Sequence, residues 1–229
     1  MALFTIGDLH LSLGADKPMD IFRGWSDYQA RLSENWRALV SDGDTVVIPG
    51  DVSWAMSLEQ ATPDFAFLQS LPGKKLILKG NHDYWWTTRR KMDAYFAEKG
   101  FDTLRIVHND AVAVEDRVAV CGTRGWFFDA EADADRKVLL REVGRLNASI
   151  DAAEATGLAP VVFLHYPPVS REAVCSELFD VLKQRGIRQC FYGHLHGPAI
   201  PHAFCGVREG VTLKLVSGDA LAFCPLKIF

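Results

Sequence analysis

The sequence predicts a layered α/β protein in which two β-sheets pack against each other and helices flank them. One observation is that short apolar runs alternate with longer segments whose apolar residues recur at helical spacing. Another is that two parts of the chain contain apolar runs separated only by short turns, as in an antiparallel meander. Two sheets flanked by helices accommodate both patterns.

Short apolar runs bounded by turn residues predict the buried strands. They are rich in β-branched or aromatic side chains, which suits strands covered on both faces. The runs are Leu3–Ile6, Thr45–Ile48, Lys75–Leu78, Val118–Cys121, Val161–Leu164 and Gln189–Tyr192.

Four segments carry apolar residues on one helical face and therefore predict helices. The stripes are Tyr28, Leu32, Trp36 and Leu39; Met92, Tyr95 and Phe96; Leu139, Val143, Leu146 and Ile150; and Val174, Leu178, Val181 and Leu182. The expected N-caps are Thr87 or Thr88 for the second helix and Ser170 for the fourth, and the expected stops are Gly43, Gly100 and Gly186.

Two further groups of runs predict antiparallel strands. Ile106–Val107, Ala111–Val114 and Val118–Cys121 follow one another with short turns. The tail repeats this pattern with Val211–Val216 and Phe223–Ile228 on either side of Ser217-Gly218-Asp219.

Composition indicates an ordinary globular protein. Of 229 residues, 48% are apolar and 24% charged, and with a net charge of −4 no basic surface indicates nucleic acid as the main partner. The N-terminal residues resemble neither a signal peptide nor an anchor, and no run approaches the ~20 apolar residues that span a bilayer. The five cysteines show no CxxC spacing. We expect one cytoplasmic domain, residues 1–229, with no membrane partner and with its oligomeric state open.

Five short polar clusters, each directly after an apolar run, contain residues typical of metal ligands. Strand ends that meet at one edge of a sheet are where open α/β folds build their sites. The clusters are Asp8-Leu9-His10, Gly50-Asp51, Gly80-Asn81-His82-Asp83, His165 and Gly193-His194-Leu195-His196.

Each cluster alone has an ordinary structural explanation. Asp8 and His10, one residue apart, point the same way from a strand end, but this pair also occurs by chance. Asp51 is either a helix cap or a ligand, and His165 is either a satisfied turn residue or a ligand. The Gly80–Asp83 turn is more specific, because it combines a tight turn, a neutral amide oxygen and an imidazole.

In this order the clusters resemble the motifs of the calcineurin-like metallophosphoesterase superfamily, and the closer match is to its small bacterial-type members without a cap domain. The resemblance spans residues 8 to 196. It implies a four-layer α/β/β/α sandwich with its site at the strand carboxyl ends. It also implies two ion sites bridged by Asp51, one formed by Asp8, His10 and His196 and the other by Asn81, His165 and His194.

The expected cofactors are two divalent transition-metal ions, Mn, Fe or Zn, with manganese the best candidate to support activity in vitro. The expected reaction is in-line attack on a phosphoester by a hydroxide that bridges the ions. His82 is the candidate to protonate or stabilise the leaving oxygen, and Asp83 is the candidate to orient the His82 ring.

The chain departs from the family pattern after Asp51. Many members carry an acidic residue three positions later, often followed by an arginine that clamps monoesters in phosphoprotein phosphatases, whereas Trp54 stands here. This tilts the expectation toward phosphodiesters over monoesters, with Arg124 as a substitute clamp. Trp54, Trp85 and Trp126 either pack the layers or wall a pocket for a small substrate and stack a nucleobase, with nucleotides among the candidates.

Two questions stay open at this stage. The long segment Leu11–Trp25 is a candidate rim of the site. The alternative function is a non-catalytic scaffold that uses this fold for protein interaction, although such proteins tend to lose ligands and the full set is present here.

Overall fold

The first of two β-sheets consists of four strands from the N-terminal half of the chain and one short strand near its C-terminus. The structure, a computed structural model, describes residues 1–126 and 133–229. The first sheet has the order β11-β1-β2-β3-β4, in which β1 to β4 are parallel and β11 is antiparallel. Its strands are β1 (Leu3–Thr5), β2 (Thr45–Pro49), β3 (Lys74–Leu78), β4 (Leu104–Ile106) and β11 (Leu226–Lys227).

The second sheet has the order β5-β6-β7-β8-β10-β9. Its four central strands are parallel, and β5 and β9 pair antiparallel at the two edges. The strands are β5 (Val112–Val114), β6 (Val118–Thr123), β7 (Ala159–Leu164), β8 (Gln189–Tyr192), β9 (Gly206–Arg208) and β10 (Val211–Leu215).

Helices cover the outer face of each sheet. Helices α1 (Tyr28–Leu39), α2 (Thr62–Ser70) and α3 (Arg89–Lys99) bury Trp36, Phe65 and Met92 in a core shared with the first sheet. Helices α4 (Asp133–Glu154) and α5 (Ser176–Gln184) pack on the second sheet.

A third core lies between the sheets. Leu3 and Val47 of the first sheet meet Val161 and Phe163 of the second in this layer. The architecture is therefore two mixed sheets packed face to face with helices outside, which confirms the predicted α/β/β/α layers.

The long strands follow the predicted runs closely. The run Gln189–Tyr192 is β8 without change, and the other five differ by one or two residues at an end. The predicted meander is wrong, because β4 pairs parallel with β3 in the first sheet and leaves β5 and β6 as a hairpin in the second. The predicted pairing in the tail is also wrong, because β10 joins β8 while β11 joins β1.

Helix ends were predicted with mixed success. Thr88 caps α3 through its side chain, and Gly100 ends that helix in a left-handed conformation. Ser170 does not cap α5, since it pairs with Ala203 in a β-bridge and the helix begins at Ser176. Leu39 is 46% exposed and does not belong to the buried stripe of α1.

In the described ranges, no helix has the length and apolar character needed to cross a membrane. All five cysteines are free, and Cys205 is exposed.

Candidate metal centre

The predicted metal ligands all follow parallel strands whose carboxyl ends face the same side of the sandwich. Asp8 and His10 follow β1, Asp51 follows β2, and Asn81 follows β3. The second sheet contributes His165 after β7 together with His194 and His196 after β8. The strand-end rule used on the sequence therefore brings residues from both sheets to one place.

Four of these side chains form a tight group that could hold an ion. Nε2 of His10 lies 3.0 Å from Nε2 of His196, which lies 3.3 Å from Oδ1 of Asp8. Oδ2 of Asp51 lies 3.7 Å from Nε2 of His10. One ligand atom from each of these four residues falls within 4.8 Å of the others.

A second group adjoins the first through Asp51. Oδ1 of Asn81 lies 2.6 Å from Nε2 of His165 and 3.0 Å from Nδ1 of His194. Oδ2 of Asp51 lies 3.5 Å from the same Nε2 of His165. One carboxylate oxygen of Asp51 therefore faces both groups.

The donor set fits divalent transition-metal ions. Oδ2 of Asp51 is buried and makes no hydrogen bond within residues 1–126 and 133–229, a costly state for a carboxylate oxygen unless a cation faces it. Mixed imidazole nitrogen and carboxylate oxygen donors suit manganese, iron or zinc. The fit rests on this chemistry and on the orphaned oxygen.

Several ligands adopt backbone conformations that non-glycine residues rarely take. The φ angles are 54° at Asp8, 45° at His10, 51° at Asp51 and 73° at His194. Such left-handed residues cost of order 1–3 kcal/mol each when they are strained and cluster at functional sites. The surrounding fold therefore imposes the positions of these side chains.

Two glycines of the motifs make room for the carboxylates. A Cβ on Gly193 would lie 2.1 Å from Oδ2 of Asp8, and one on Gly80 would lie 2.0 Å from Oδ1 of Asp51. The chain passes directly behind each carboxylate, and the His194 amide donates to Oδ1 of Asp8 at 2.9 Å. This close approach explains why glycine precedes both the histidine pair and Asn81.

Charges within the centre are strongly coupled. Burial opposes the ionisation of Asp8, but His196, His165 and His10 together outweigh it and lower the pKa of the carboxyl. Burial and the neighbouring Asp8 raise the pKa of Asp51 to about 8. Burial opposes the charge of His196 too, but Asp8 and Asp219 raise its pKa to about 10. Burial and the charge of His165 lower the pKa of His194 to about 3.

These shifts predict proton release when metal binds at pH 7. Without metal, Asp51 and His196 hold their protons because both pKa values lie above 7, and a bound cation displaces them. In titration calorimetry with Mn²⁺, the observed binding enthalpy should depend linearly on the ionisation enthalpy of the buffer, with a slope equal to the number of protons released. A slope corresponding to no released proton would contradict the protonated state of both groups, and His196→Asn should reduce the slope.

Asp83 is a structural residue of the turn. It is buried, and its carboxylate accepts hydrogen bonds from the amides of Gly80 (2.7 Å), Asp51 (2.9 Å) and Val52 (2.9 Å) and from Nε1 of Trp85 (3.0 Å). The expectation that Asp83 orients the His82 ring is therefore corrected: it fixes the backbone that carries Asp51. The residues adjoin in sequence, but the carboxylate faces the preceding strand end.

The His82 ring lies at the edge of the centre. Nδ1 of His82 is 3.1 Å from the Tyr84 hydroxyl, and the ring packs 4.3 Å from the Trp54 ring. Burial and the charges of His165 and His196 lower its pKa, so the ring is neutral at pH 7. A neutral imidazole at this position can donate a hydrogen bond toward a substrate.

A cavity of about 870 Å³ opens beside the centre. His10, His82 and His196 form its inner wall, and Trp54 stacks on His10 with ring centroids 5.0 Å apart. The predicted rim segment contributes five of the lining residues, Met19, Phe22, Arg23, Gly24 and Trp25.

Comparison with protein families decides the identity of this arrangement. The model of the family described as calcineurin-like phosphoesterase matches residues 1–198. The chain belongs to this family. The match extends from the first strand through the Gly193–His196 motif, so every predicted metal ligand of this calcineurin-like phosphoesterase lies inside it.

Solved structures share the fold at low sequence identity. A protein of unknown function, AQ665 from Aquifex aeolicus, matches with a TM-score of 0.53 at 14% identity, covering 99% of this chain and 95% of that one. Phosphopantetheinyl hydrolase PptH from Mycobacterium tuberculosis matches with a TM-score of 0.51 at 17% identity, covering 94% of this chain and 88% of that one. TT1561 of Thermus thermophilus matches with a TM-score of 0.56 at 11% identity, covering 85% of this chain and 81% of that one. A comparison with curated proteins gives no significant match.

Of the predicted substrate contacts of this phosphoesterase, only Trp54 lines the large cavity in the described part of the chain. Nη2 of Arg124 lies 3.7 Å from Oε1 of Glu142, and the guanidinium lies over the Trp126 ring at 4.7 Å. Trp126 packs edge-on against Tyr166. The expectation that Arg124 and Trp126 bind substrate has no support from the cavity.

The sequence interpretation missed Asp219 and Tyr84. Asp219 accepts from the Gly197 amide at 2.8 Å, and its Oδ1 lies 3.3 Å from Nδ1 of His196, which orients that ring. The signal was available, because Asp219 follows the run Val211–Val216 as Asp51 follows β2. Tyr84 carried no such signal.

Proposed function

We propose that this phosphoesterase hydrolyses its substrate with two divalent ions. Asp8, His10 and His196 would hold one ion, and Asn81, His165 and His194 would hold the other. Asp51 would contribute to both. The observation that supports this most is the single oxygen of Asp51, which lies 3.7 Å and 3.5 Å from ring nitrogens of the two groups.

The ligand set leaves a positive centre for an anionic substrate. Divalent ions at this position neutralise phosphoryl charge and acidify water. Two divalent ions would contribute four positive charges. Asp8 and Asp51 contribute two negative charges, and the neutral histidines and Asn81 contribute none. The left-handed ligand residues hold this geometry before substrate arrives, which limits the reorganisation that the reaction needs.

His82 acts on the leaving oxygen as a hydrogen-bond donor. Its lowered pKa disfavours an imidazolium that gives up a full proton at pH 7, and it favours a neutral ring that donates N–H. The Tyr84 hydroxyl and the Trp54 ring hold the imidazole at the cavity wall.

Phosphodiesters suit this site better than monoesters. Trp54 stands at the position of the acidic residue, and Ala55 follows it where the arginine is expected. Trp54 presents an aromatic face to the cavity, with Nζ of Lys17 5.7 Å from its ring. A monoester carries more negative charge at neutral pH than a diester, so its binding depends more on a guanidinium. Because the site lacks this guanidinium, the diester is favoured.

The test compares metal-free and Mn²⁺-loaded protein on aryl phosphate monoesters and diesters. We expect hydrolysis that depends on added Mn²⁺, about two ions per chain by elemental analysis, and faster turnover of the diester. Ion binding without hydrolysis of either substrate class would instead favour a non-catalytic scaffold.

His82→Ala should slow the reaction without loss of metal. We expect kcat to fall about 10²-fold, within the range for loss of one preorganised donor, while the ion content stays unchanged. Elemental analysis and steady-state kinetics on the same preparation check this. His82→Gln, which restores an N–H donor, should recover part of the rate, and metal loss in His82→Ala would show that His82 is a ligand.

A further inference from the structure

The large cavity is far bigger than a phosphoryl group requires. Its volume of about 870 Å³ falls in the range that holds a drug-sized organic molecule. Beyond the histidines, its walls are mostly hydrocarbon or aromatic, formed by Met19, Phe22, Trp25, Trp54, Pro198 and Ile200.

The carboxylate of Asp219 on these walls already has partners, whereas Nδ1 of His10 and Nε1 of Trp54 make no hydrogen bond within residues 1–126 and 133–229. Asp219 accepts from the amides of Gly197 and Ala220 at 2.8 and 2.9 Å and adjoins His196. A nucleobase or sugar would leave its own polar atoms against apolar surface, which is costly. The walls favour a group with few hydrogen-bonding atoms.

Exposed apolar side chains adjoin the cavity wall as well. Ile21 is 75% exposed and Phe22 is 53% exposed, and they adjoin in the segment that forms the rim. Adjoining exposed apolar side chains at a cavity mouth are typical of binding surfaces. Arg23, next to them on the wall, offers a positive charge to an anionic ligand.

We propose that this cavity binds a hydrophobic organic group of the substrate, which makes the enzyme selective for phosphoesters with a bulky apolar substituent. The inference rests on the proposed function, because the cavity shares His10, His82 and His196 with the metal centre. A group that fills it keeps its phosphate beside those histidines. Phe22, Trp25 and Ile200 are then specificity-determining residues.

The test measures binding of alkylphosphonates to the Mn²⁺-loaded protein by titration calorimetry. These compounds have no leaving group, so affinity is read independently of turnover. Each buried methylene strengthens binding by up to about fourfold, and we expect hexylphosphonate to bind at least about tenfold more tightly than methylphosphonate. Phenylphosphonate shows whether the walls prefer a ring to a chain. Equal dissociation constants for the methyl and hexyl compounds would overturn the proposal.

Variants assign the effect to the cavity. Phe22→Ser combined with Ile200→Ser should reduce the hexyl-to-methyl preference to less than about threefold. Val207→Ser is the matched control, because Val207 is 68% exposed on β9 and does not line the cavity. A preference that survives the double variant would place the apolar group elsewhere and refute the assignment.

The two proposals fail in different ways. Hydrolysis of generic phosphoesters without chain-length preference would leave the function standing and reject the apolar subsite. Chain-length preference without hydrolysis of any phosphoester would support the subsite and reject the enzyme.

Discussion

Asp51→Ala is expected to abolish hydrolysis and to strip the protein of metal. Its Oδ2 faces a ring nitrogen of each candidate ion site, so its removal weakens both sites together. Loss of an outer-shell partner alone costs up to ~100-fold, and loss of a shared ligand should exceed that. Elemental analysis and diester hydrolysis by the same sample check the result, with His194→Ala as the parallel variant and exposed Asp42→Ala as the control.

The same substitution should stabilise the metal-free protein at pH 8. The raised pKa of Asp51 means that the folded chain binds this proton more tightly than the unfolded chain does. Its contribution to stability therefore falls as pH rises from about 4 to about 8. In urea unfolding with a chelator at pH 8, the free energy of unfolding of Asp51→Ala should be higher than that of wild type.

Retained metal and activity in both Asp51→Ala and His194→Ala would refute the proposed ligand assignment.

Asp83→Ala is expected to cause the largest loss of stability. Its buried carboxylate accepts from the Gly80 amide and the Trp85 indole in the turn after β3, and from the amides of Asp51 and Val52 after β2. Each buried donor left unsatisfied costs about 1–3 kcal/mol, so we expect a loss of about 4 kcal/mol or more. Urea unfolding of chelator-treated protein measures it.

The control for Asp83 is Asp93→Ala. Asp93 pairs with Arg89 on the surface of α3, and an exposed pair contributes about 1 kcal/mol or less. Burial and the charge of Asp51 raise the pKa of Asp83 to about 6, so the carboxylate itself is costly to hold. If Asp83→Ala lost no more stability than Asp93→Ala, that cost would outweigh the hydrogen bonds.

The sequence predicted the long strands and the ligand clusters for one physical reason. A buried parallel strand is a continuous apolar run, and polar residues directly after it fall at the sheet edge. Asp8, Asp51 and His165 all followed this rule. Order along the chain then distinguished ligands from ordinary turn residues, which no single cluster could do.

The local sequence does not determine which strand pairs with which. The run at β4 has the same short turns around it as a hairpin strand, yet it pairs with β3, because that choice depends on the packing of both sheets. Helix α2 escaped prediction because it buries Asp64 among its apolar residues, so its stripe is weak. Ser53 donates to that buried carboxylate, a contact that spacing does not reveal.

The role of Asp83 was missed for a related reason. Its neighbour His82 was the obvious partner in sequence, whereas its hydrogen-bond donors include amides about thirty residues earlier in the chain. The rim segment and Trp54 were predicted to border the site, but the part of the cavity wall formed by the turn after His196 was not.

The distribution of the ligands between the sheets has a consequence for biosynthesis. His10 and His196 are 186 residues apart in the chain, and each proposed ion takes ligands from both sheets. A nascent chain that has not yet emerged past β8 lacks His194 and His196, so neither site can close around an ion. On the proposed ligand assignment, metal capture would therefore follow the synthesis of β8 and of the two histidines after it.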